Sequence, residues 1–322
     1  MPDFIDIGWV ILGLVLLYYG AEWLVKGASE LALRVGISPL VVGLTVVAFG
    51  TSAPELVVSV QANFEGNGGM ALGNVVGSNI CNIALVLGCA AVIFPLKIHH
   101  QVIRRELPIL VVITFAFAWM IKSGSVSRLE GGLLFAGILL YVYSSLRAAR
   151  KEPDSEVCEE LDPEVIKAAK EGGAGRVLFD ILLVVAGCGI LVVGADRMVF
   201  GGANIARFYG VSEAVIGLTL FAFGTSLPEL ATSVVAAIRK QGDIIVGNAV
   251  GSCIFNILAV VGLAGLIDPL EADGVTAAHV GVMIVTAVLI LPMMWHRMTL
   301  NRWEGVILSV GYLGFSVWLI AG

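Results

Sequence analysis

Two glutamates, Glu55 and Glu229, stand in the middle of hydrophobic segments, inside the octapeptides FGTSAPEL (49–56) and FGTSLPEL (223–230). An ionisable side chain at a bilayer centre costs about 2.5–3.5 kcal/mol on insertion scales, so such residues are functional candidates whose partner must be named. No lysine or arginine lies in the segments carrying these motifs or in the helices that follow them, so the compensating charge is a cation or a proton. The neighbours favour a metal ion. Thr51 and Ser52 precede Glu55 by four and three residues, a spacing that puts their oxygens on one helical face. Pro54 and Pro228 lack an amide hydrogen and so free the carbonyls of Gly50 and Gly224. Broken helices with spare carbonyls are how membrane transporters build cation sites. The next helix presents Asn74, Ser78 and Asn82 at four-residue steps, and its copy presents Asn248, Ser252 and Asn256. Carboxylates, hydroxyls, amides and carbonyls together suit hard cations such as calcium. No histidine or thiolate converges on the set, which argues against zinc or copper.

Other polar and small residues have plainer readings. Gly73 with Gly77, and Gly247 with Gly251, are small-residue packing positions that let polar helices approach. Serines and threonines in such helices commonly bond back to the backbone. A glutamate protonated and bonded to an asparagine could be structural once, but the same set occurs twice. Glu22 and Asp196 are expected near helix ends as gating or structural residues. His99, His100, His279 and His296 share no spacing and read as interfacial. Of the five cysteines, Cys81, Cys89, Cys188 and Cys253 lie in apolar runs and Cys158 does not; none forms a metal-ligand pair or implies a disulfide framework.

These residues need a scaffold, and the composition supplies its class. Hydrophobic residues make up 58% of 322 and the mean hydropathy is +0.96; charged residues are 14%, against about 25% in soluble proteins. Apolar runs of membrane-spanning length recur along the chain, which reads as an all-α polytopic membrane protein. Ten helices are expected near 5–25, 38–63, 71–95, 107–122, 129–147, 177–200, 212–238, 245–267, 277–295 and 303–321. The first run is too long for a signal peptide and is expected to be retained. The one long polar segment, 148–176, reads as a solvated linker, with a short helix possible at DPEVIKAAK; it lacks the pattern of a calcium-binding loop.

The halves on either side of that linker repeat. GLTVVAFGTSAPELVVSVQA (43–62) aligns with GLTLFAFGTSLPELATSVVA (217–236), ALGNVVGSNICNIALVLG (71–88) with IVGNAVGSCIFNILAVVG (245–262), and GAEWLVKGA (20–28) with GADRMVFGG (194–202), each at an offset of 174 residues. The expected domains are therefore a five-helix repeat over 1–147, the linker 148–176, and a second five-helix repeat over 177–322. Five is odd, so the second copy enters the membrane from the opposite side, giving an inverted-topology repeat. The placement of 19 lysines and arginines agrees: with both termini outside, only Lys122, Arg128, Arg197 and Arg207 face outward and the other fifteen face the cytoplasm.

GTSAPEL followed by GNVVGSNICN, and GTSLPEL followed by GNAVGSCIFN, resemble the two α-repeats of the sodium/calcium exchanger branch of the calcium/cation antiporter superfamily. The short linker resembles that of a prokaryotic member. The resemblance implies alternating access, with calcium and several sodium ions competing for a midplane site between the repeats. By motif position it implies Glu55 and Glu229 as carboxylate ligands, with Thr51, Ser52, Ser78, Thr225, Ser226 and Ser252 supplying hydroxyl oxygens. It also implies backbone oxygens from Ala48 and Ala222, with Asn82 and Asn256 closing the site. Helices one and six would slide over a rigid core. Some relatives, potassium-dependent ones among them, carry aspartate where this chain has Asn256, which argues against potassium co-transport here.

The expected function is thus sodium/calcium antiport in the cell membrane, with transported sodium and calcium, no permanently bound cofactor, no nucleic acid and no obligate protein partner. The nearest alternative is a proton-driven calcium antiporter on the same scaffold. A passive channel fits a midplane site between tightly packed repeats less well. An enzyme is disfavoured, since no H-E-x-x-H, Ser/His or Asp/Asp spacing occurs.

Overall fold

The computed structural model of the protein describes residues 4–149, 174–211, 216 and 222–321. Most of the expected linker, with Cys158 and the DPEVIKAAK helix, lies outside the described residues, as does the expected start of the seventh helix. In chain order the helices are α1 (Phe4–Val35), α2 (Pro39–Thr51 and Ala53–Phe64), α3 (Gly68–Ile93) and α4 (Val102–Glu106 continuing as Leu107–Lys122). They continue with α5 (Arg128–Ala149), α6 (Ala174–Phe208), α7 (Ala222–Thr225 and Leu227–Ile238), α8 (Gly242–Ile267), α9 (Ala277–Trp295) and α10 (Arg302–Ala321). Among the described residues six helices are long and apolar enough to cross a membrane, or seven if the bent pair in α2 counts as one span.

Two helices outrun the lengths expected from hydropathy. α1 continues to Val35 and α6 to Phe208, because the polar residues beyond each apolar run find partners there and the helix need not stop. In α1, Ser29 donates to Gln241 at 2.9 Å, while Arg34 donates to Asp180 at 2.6 Å and to Glu30 at 3.3 Å. Near the far end, Asn204 of α6 donates to Asp6 of α1 at 2.8 Å. α4 begins five residues before its expected start, through a wide π-helical turn. That turn buries Glu106 against the Tyr141 hydroxyl, 2.8 Å away, and the Gln101 amide, 3.1 Å away.

α3 and α8 are the most buried of the long helices, whereas α1, α5, α6 and α9 expose most of their apolar surface, as lipid-facing helices do. α8 packs against the first half of α2, and α3 against its second half. α1 and α6 form an antiparallel pair around glycines spaced by seven, with Gly13 facing Gly194 and Gly20 facing Gly187, while Gly27 of α1 lies against Asp180 and Gly201 of α6 against Asp6. A Cβ added at Gly187 would lie 2.7 Å from the Leu24 amide nitrogen, and one at Gly20 2.9 Å from that of Leu191. Only backbone fits there. The same close approach brings Gly247 and Gly251 of α8 onto 40–44 of α2. Near Gly73 and Gly77 no described atom lies within 4 Å, and their repeat-related neighbours, 214–218, lie outside the described residues apart from Ile216.

Two short antiparallel clasps tie the halves together. Leu96–Lys97, after α3, pairs with Thr299–Leu300, after α9. Ser125–Val126, after α4, pairs with Leu270–Glu271, after α8. Adding 174 to the first partner of one clasp gives a partner in the other, so each half lends a strand to its counterpart.

Candidate functional site

The two octapeptides break their helices in the same way. α2 stops at Thr51 and restarts at Ala53, with Ser52 at φ −83°, ψ 6° between them and a bend of 44°. α7 stops at Thr225 and restarts at Leu227 around Ser226 at φ −89°, ψ 5°. Pro54 and Pro228 fall in the first turn of the restarted helices, where a missing N–H leaves nothing unpaired. The break therefore precedes the proline instead of following it. Glu55 and Glu229 also sit in those first turns, the end of a helix that favours negative charge.

The expected helical face uniting Thr51, Ser52 and Glu55 does not form, because the helix is interrupted between them. The side chains cross over instead. Ser52 donates to Glu229 Oε1 at 3.1 Å, and Ser226 donates to Glu55 Oε1 at 3.4 Å. Each glutamate gains a second hydroxyl from its own half, Ser78 to Glu55 Oε1 at 3.5 Å and Ser252 to Glu229 Oε1 at 3.4 Å. Thr51 donates to Asn248 Oδ1 at 3.0 Å, and Thr225 to Asn74 Oδ1 at 3.2 Å. The Asn74 amide in turn donates to Ser59 at 3.1 Å, and the Asn248 amide to Ser233 at 3.2 Å. The serines at 59 and 233 were not singled out in the sequence, although their 174-residue relation was there to be seen.

What these bonds leave over is as informative as what they make. Glu55, Glu229, Asn82 and Asn256 are fully buried. Among the described residues the Oε2 atoms of both glutamates, both amide atoms of Asn82 and Oδ1 of Asn256 have no hydrogen-bond partner. Buried polar atoms are nearly always paired, so a cluster of unpaired oxygens in two related places needs a ligand to explain it. Asn82 and Asn256 each begin a π-helical turn, Asn82–Val86 and Asn256–Val261, a distortion frequent at functional sites. The Ala48 carbonyl already accepts from the Ser52 amide at 3.0 Å and the Thr51 hydroxyl at 3.4 Å; Ala222 opens the described part of α7. Among the described residues no group of three histidine, cysteine or acidic side chains could hold a transition metal. Two carboxylates among neutral oxygens instead match the preference of hard cations.

Glu22 and Asp196 lie well inside α1 and α6, not near their ends as expected, because those helices are longer than their apolar runs. Glu22 pairs with Arg239 beyond the end of α7, and Asp196 lies 3.6 Å from its neighbour Arg197. α1 packs along Leu227–Ile238 of α7, whereas α6 makes no comparable packing on Ala53–Phe64 of α2.

The profile of the family described as "Sodium/calcium exchanger protein" matches residues 5–147 and 179–321. The chain is 36% identical to the inner membrane protein YrbG of Escherichia coli (strain K12), over 96% of this chain and 94% of that one. It is 34% identical to the sodium/calcium exchanger MaX1 of Methanosarcina acetivorans, over 96% of each. Among solved structures, the sodium-calcium exchanger NCX_Mj soaked with sodium and strontium superposes with a TM-score of 0.83 at 31% identity, covering 100% of this chain and 99% of that one. The chain belongs to the sodium/calcium exchanger family, a family of membrane transporters and not of enzymes, in which sodium and calcium are cargo.

Proposed function

We propose that this exchanger-family chain moves calcium against sodium by alternating access, with both ions competing for one site between Glu55 and Glu229. The observation that carries this reading is the set of buried oxygens without partners among the described residues: one from each glutamate, with the amide oxygens of Asn82 and Asn256. Thr51, Ser52, Ser78, Thr225, Ser226 and Ser252, with the carbonyls of Ala48 and Ala222, supply the remaining oxygens and hold the carboxylates in place. A hard cation placed there meets two negative charges and enough neutral oxygens to replace its water. Two sodium ions would neutralise the same pair of carboxylates, which makes the ions mutually exclusive.

The chain is read as ten spans, two inverted five-helix repeats over 1–147 and 177–322 with the cytoplasmic linker 148–176 between them and both termini outside. Three observations support it: the common 174-residue offset, the two strand-exchanging clasps, and the charge bias of the loops. In that orientation the α7–α8 turn is cytoplasmic and is sealed by α1, while the opposite end is not sealed by α6. Exchange would follow as the glycine-packed α1–α6 pair slides until α6 covers α2 and α1 leaves α7.

Sealed vesicles containing the purified protein, loaded with sodium and diluted into sodium-free buffer with labelled calcium, test this. Calcium uptake that requires internal sodium, survives a proton uncoupler and ignores potassium is the expected result. Uptake that follows a pH gradient and ignores sodium would replace sodium by protons as the driving ion.

A further inference from the structure

The two asparagines proposed to close the site are not held alike. Asn256 Nδ2 donates to Asn79 Oδ1 at 3.2 Å, and Asn79 Nδ2 donates to the Cys253 carbonyl at 3.4 Å. The Cys253 thiol donates in turn to the Asn79 carbonyl at 3.7 Å. Asn79 is 3% exposed and Asn256 and Cys253 are fully buried, so water does not complete these bonds. The order of donors follows from one fixed point. A backbone carbonyl can only accept, so the nitrogen of Asn79 must face Cys253 and its oxygen must face Asn256. Asn256 must then present its nitrogen to Asn79, and its Oδ1, which has no partner among the described residues, is turned away from that bond.

The repeat-related pair is Asn82 beside Cys253, since 79 and 253 correspond. A thiol is a weak partner, and among the described residues neither amide atom of Asn82 has a stronger one. An amide free to flip offers a cation its oxygen or its NH2 group, and the second is repulsive. A pinned amide offers the oxygen alone.

We propose that Asn79 is a positioning residue that locks Asn256 with its carbonyl oxygen toward the transported cation, making the second-repeat asparagine a preoriented neutral ligand. The inference rests on the cation site proposed above and adds a residue that does not itself touch the ion. It also accounts for an asparagine standing at 79 where the other half has cysteine.

The test is a coupling measurement on the full chain. Asn79→Leu keeps the branched outline of the side chain and removes the lock. It is expected to raise the half-saturating calcium concentration about tenfold while the maximal exchange rate stays within about twofold, since tenfold corresponds to 1.4 kcal/mol. In an Asn256→Asp background both side-chain ends are oxygens and the Asn79 oxygen faces a carboxylate instead of a donor, so Asn79→Leu should not weaken calcium binding. An equal loss in both backgrounds would mean a packing role and overturn the proposal, as would no loss in the unsubstituted background. Calcium-dependent thermal stabilisation of the detergent-purified protein reads the same coupling if Asn256→Asp stops transport. Asn79→Cys, which copies the residue of the other half, serves if the leucine variant does not fold. If the unsubstituted protein gains no stability from calcium, the site itself is wrong; if it does and the Asn79 variants match it, only the lock is wrong.

Discussion

At the turn joining α7 to α8, Ser29 of α1 donates to Gln241 and Glu22 of α1 pairs with Arg239. At the turn joining α2 to α3, the positions related by 174 residues are Ala203 of α6 with Asn67, and Asp196 of α6 with Glu65. The first set is complementary. The second has no hydroxyl to donate and sets two acids in corresponding places. The centre behaves differently: Thr51 with Asn248 repeats as Thr225 with Asn74, and Ser52 with Glu229 repeats as Ser226 with Glu55. A binding site that must serve both faces gains from being nearly symmetric. The rims are free to differ, and on the proposed alternating-access reading their difference would set which face is open at rest. α1 seated on α7, with α6 away from the second half of α2, is the arrangement that the complementary rim favours.

The comparison breaks most severely at the centre. Glu229→Gln, or Glu55→Gln, is expected to lower sodium-dependent calcium uptake by about 30-fold or more, given the roughly 2–5 kcal/mol lost when one partner of a buried charged set is truncated. Insertion and folding, followed by size-exclusion profile, should survive, because glutamine can still accept from the same serines. Equal, severe losses in the two variants would confirm that the halves contribute alike. Normal uptake in either would remove that glutamate from the site.

Next in size is the α1–α6 pair, proposed to slide. Gly187→Leu drives a side chain into the backbone of α1 and should cost about 1–3 kcal/mol of stability, read as a lowered melting temperature together with slowed exchange. Gly189→Leu, two residues along on an open face, should leave both unchanged. The smallest effect is expected at the rim. Arg239→Glu makes the two rims alike in charge. Because a partly exposed ion pair is worth about 0–1 kcal/mol, the half-saturating calcium at the face carrying the α7–α8 turn should fall about two- to fivefold as that face becomes more populated. Calcium titrations on vesicles of each orientation would read it. A rise at that face would reverse the role assigned to the pair.

Much of this was readable from sequence, for identifiable reasons. The duplication was visible because Gly, Pro, Glu and Asn recur in register, and polar residues in apolar surroundings are informative by their cost. The residues that meet around the glutamates were likewise visible as a set. Their pairing was not. Helical spacing predicts neighbours within one segment, and the chain breaks at Ser52 and Ser226, so the contacts pass between halves where no spacing rule reaches. Helix lengths failed for a related reason: hydropathy ends at an apolar boundary, while α1 continues because Ser29 and Arg34 have partners hundreds of residues away or on α6. Asn79 was invisible as a positioning residue because its importance lies in a difference from Cys253, and the alignment draws attention to identities.

The two clasps also impose an order on how the molecule is made. Leu96–Lys97 leaves the ribosome long before its partner Thr299–Leu300 exists. At about 5–20 residues per second, a separation of roughly 200 residues is an interval of about 10–40 s. For most of it the first half has both of its exchanged strands unpaired, since Leu270–Glu271, the partner of Ser125–Val126, is made only shortly before Thr299–Leu300. Its final closure waits on the second half, so the chain is completed as one body and not as two finished modules joined in sequence. Deleting the second half would leave the first with two open edges, and supplying the missing half as a separate chain would close them.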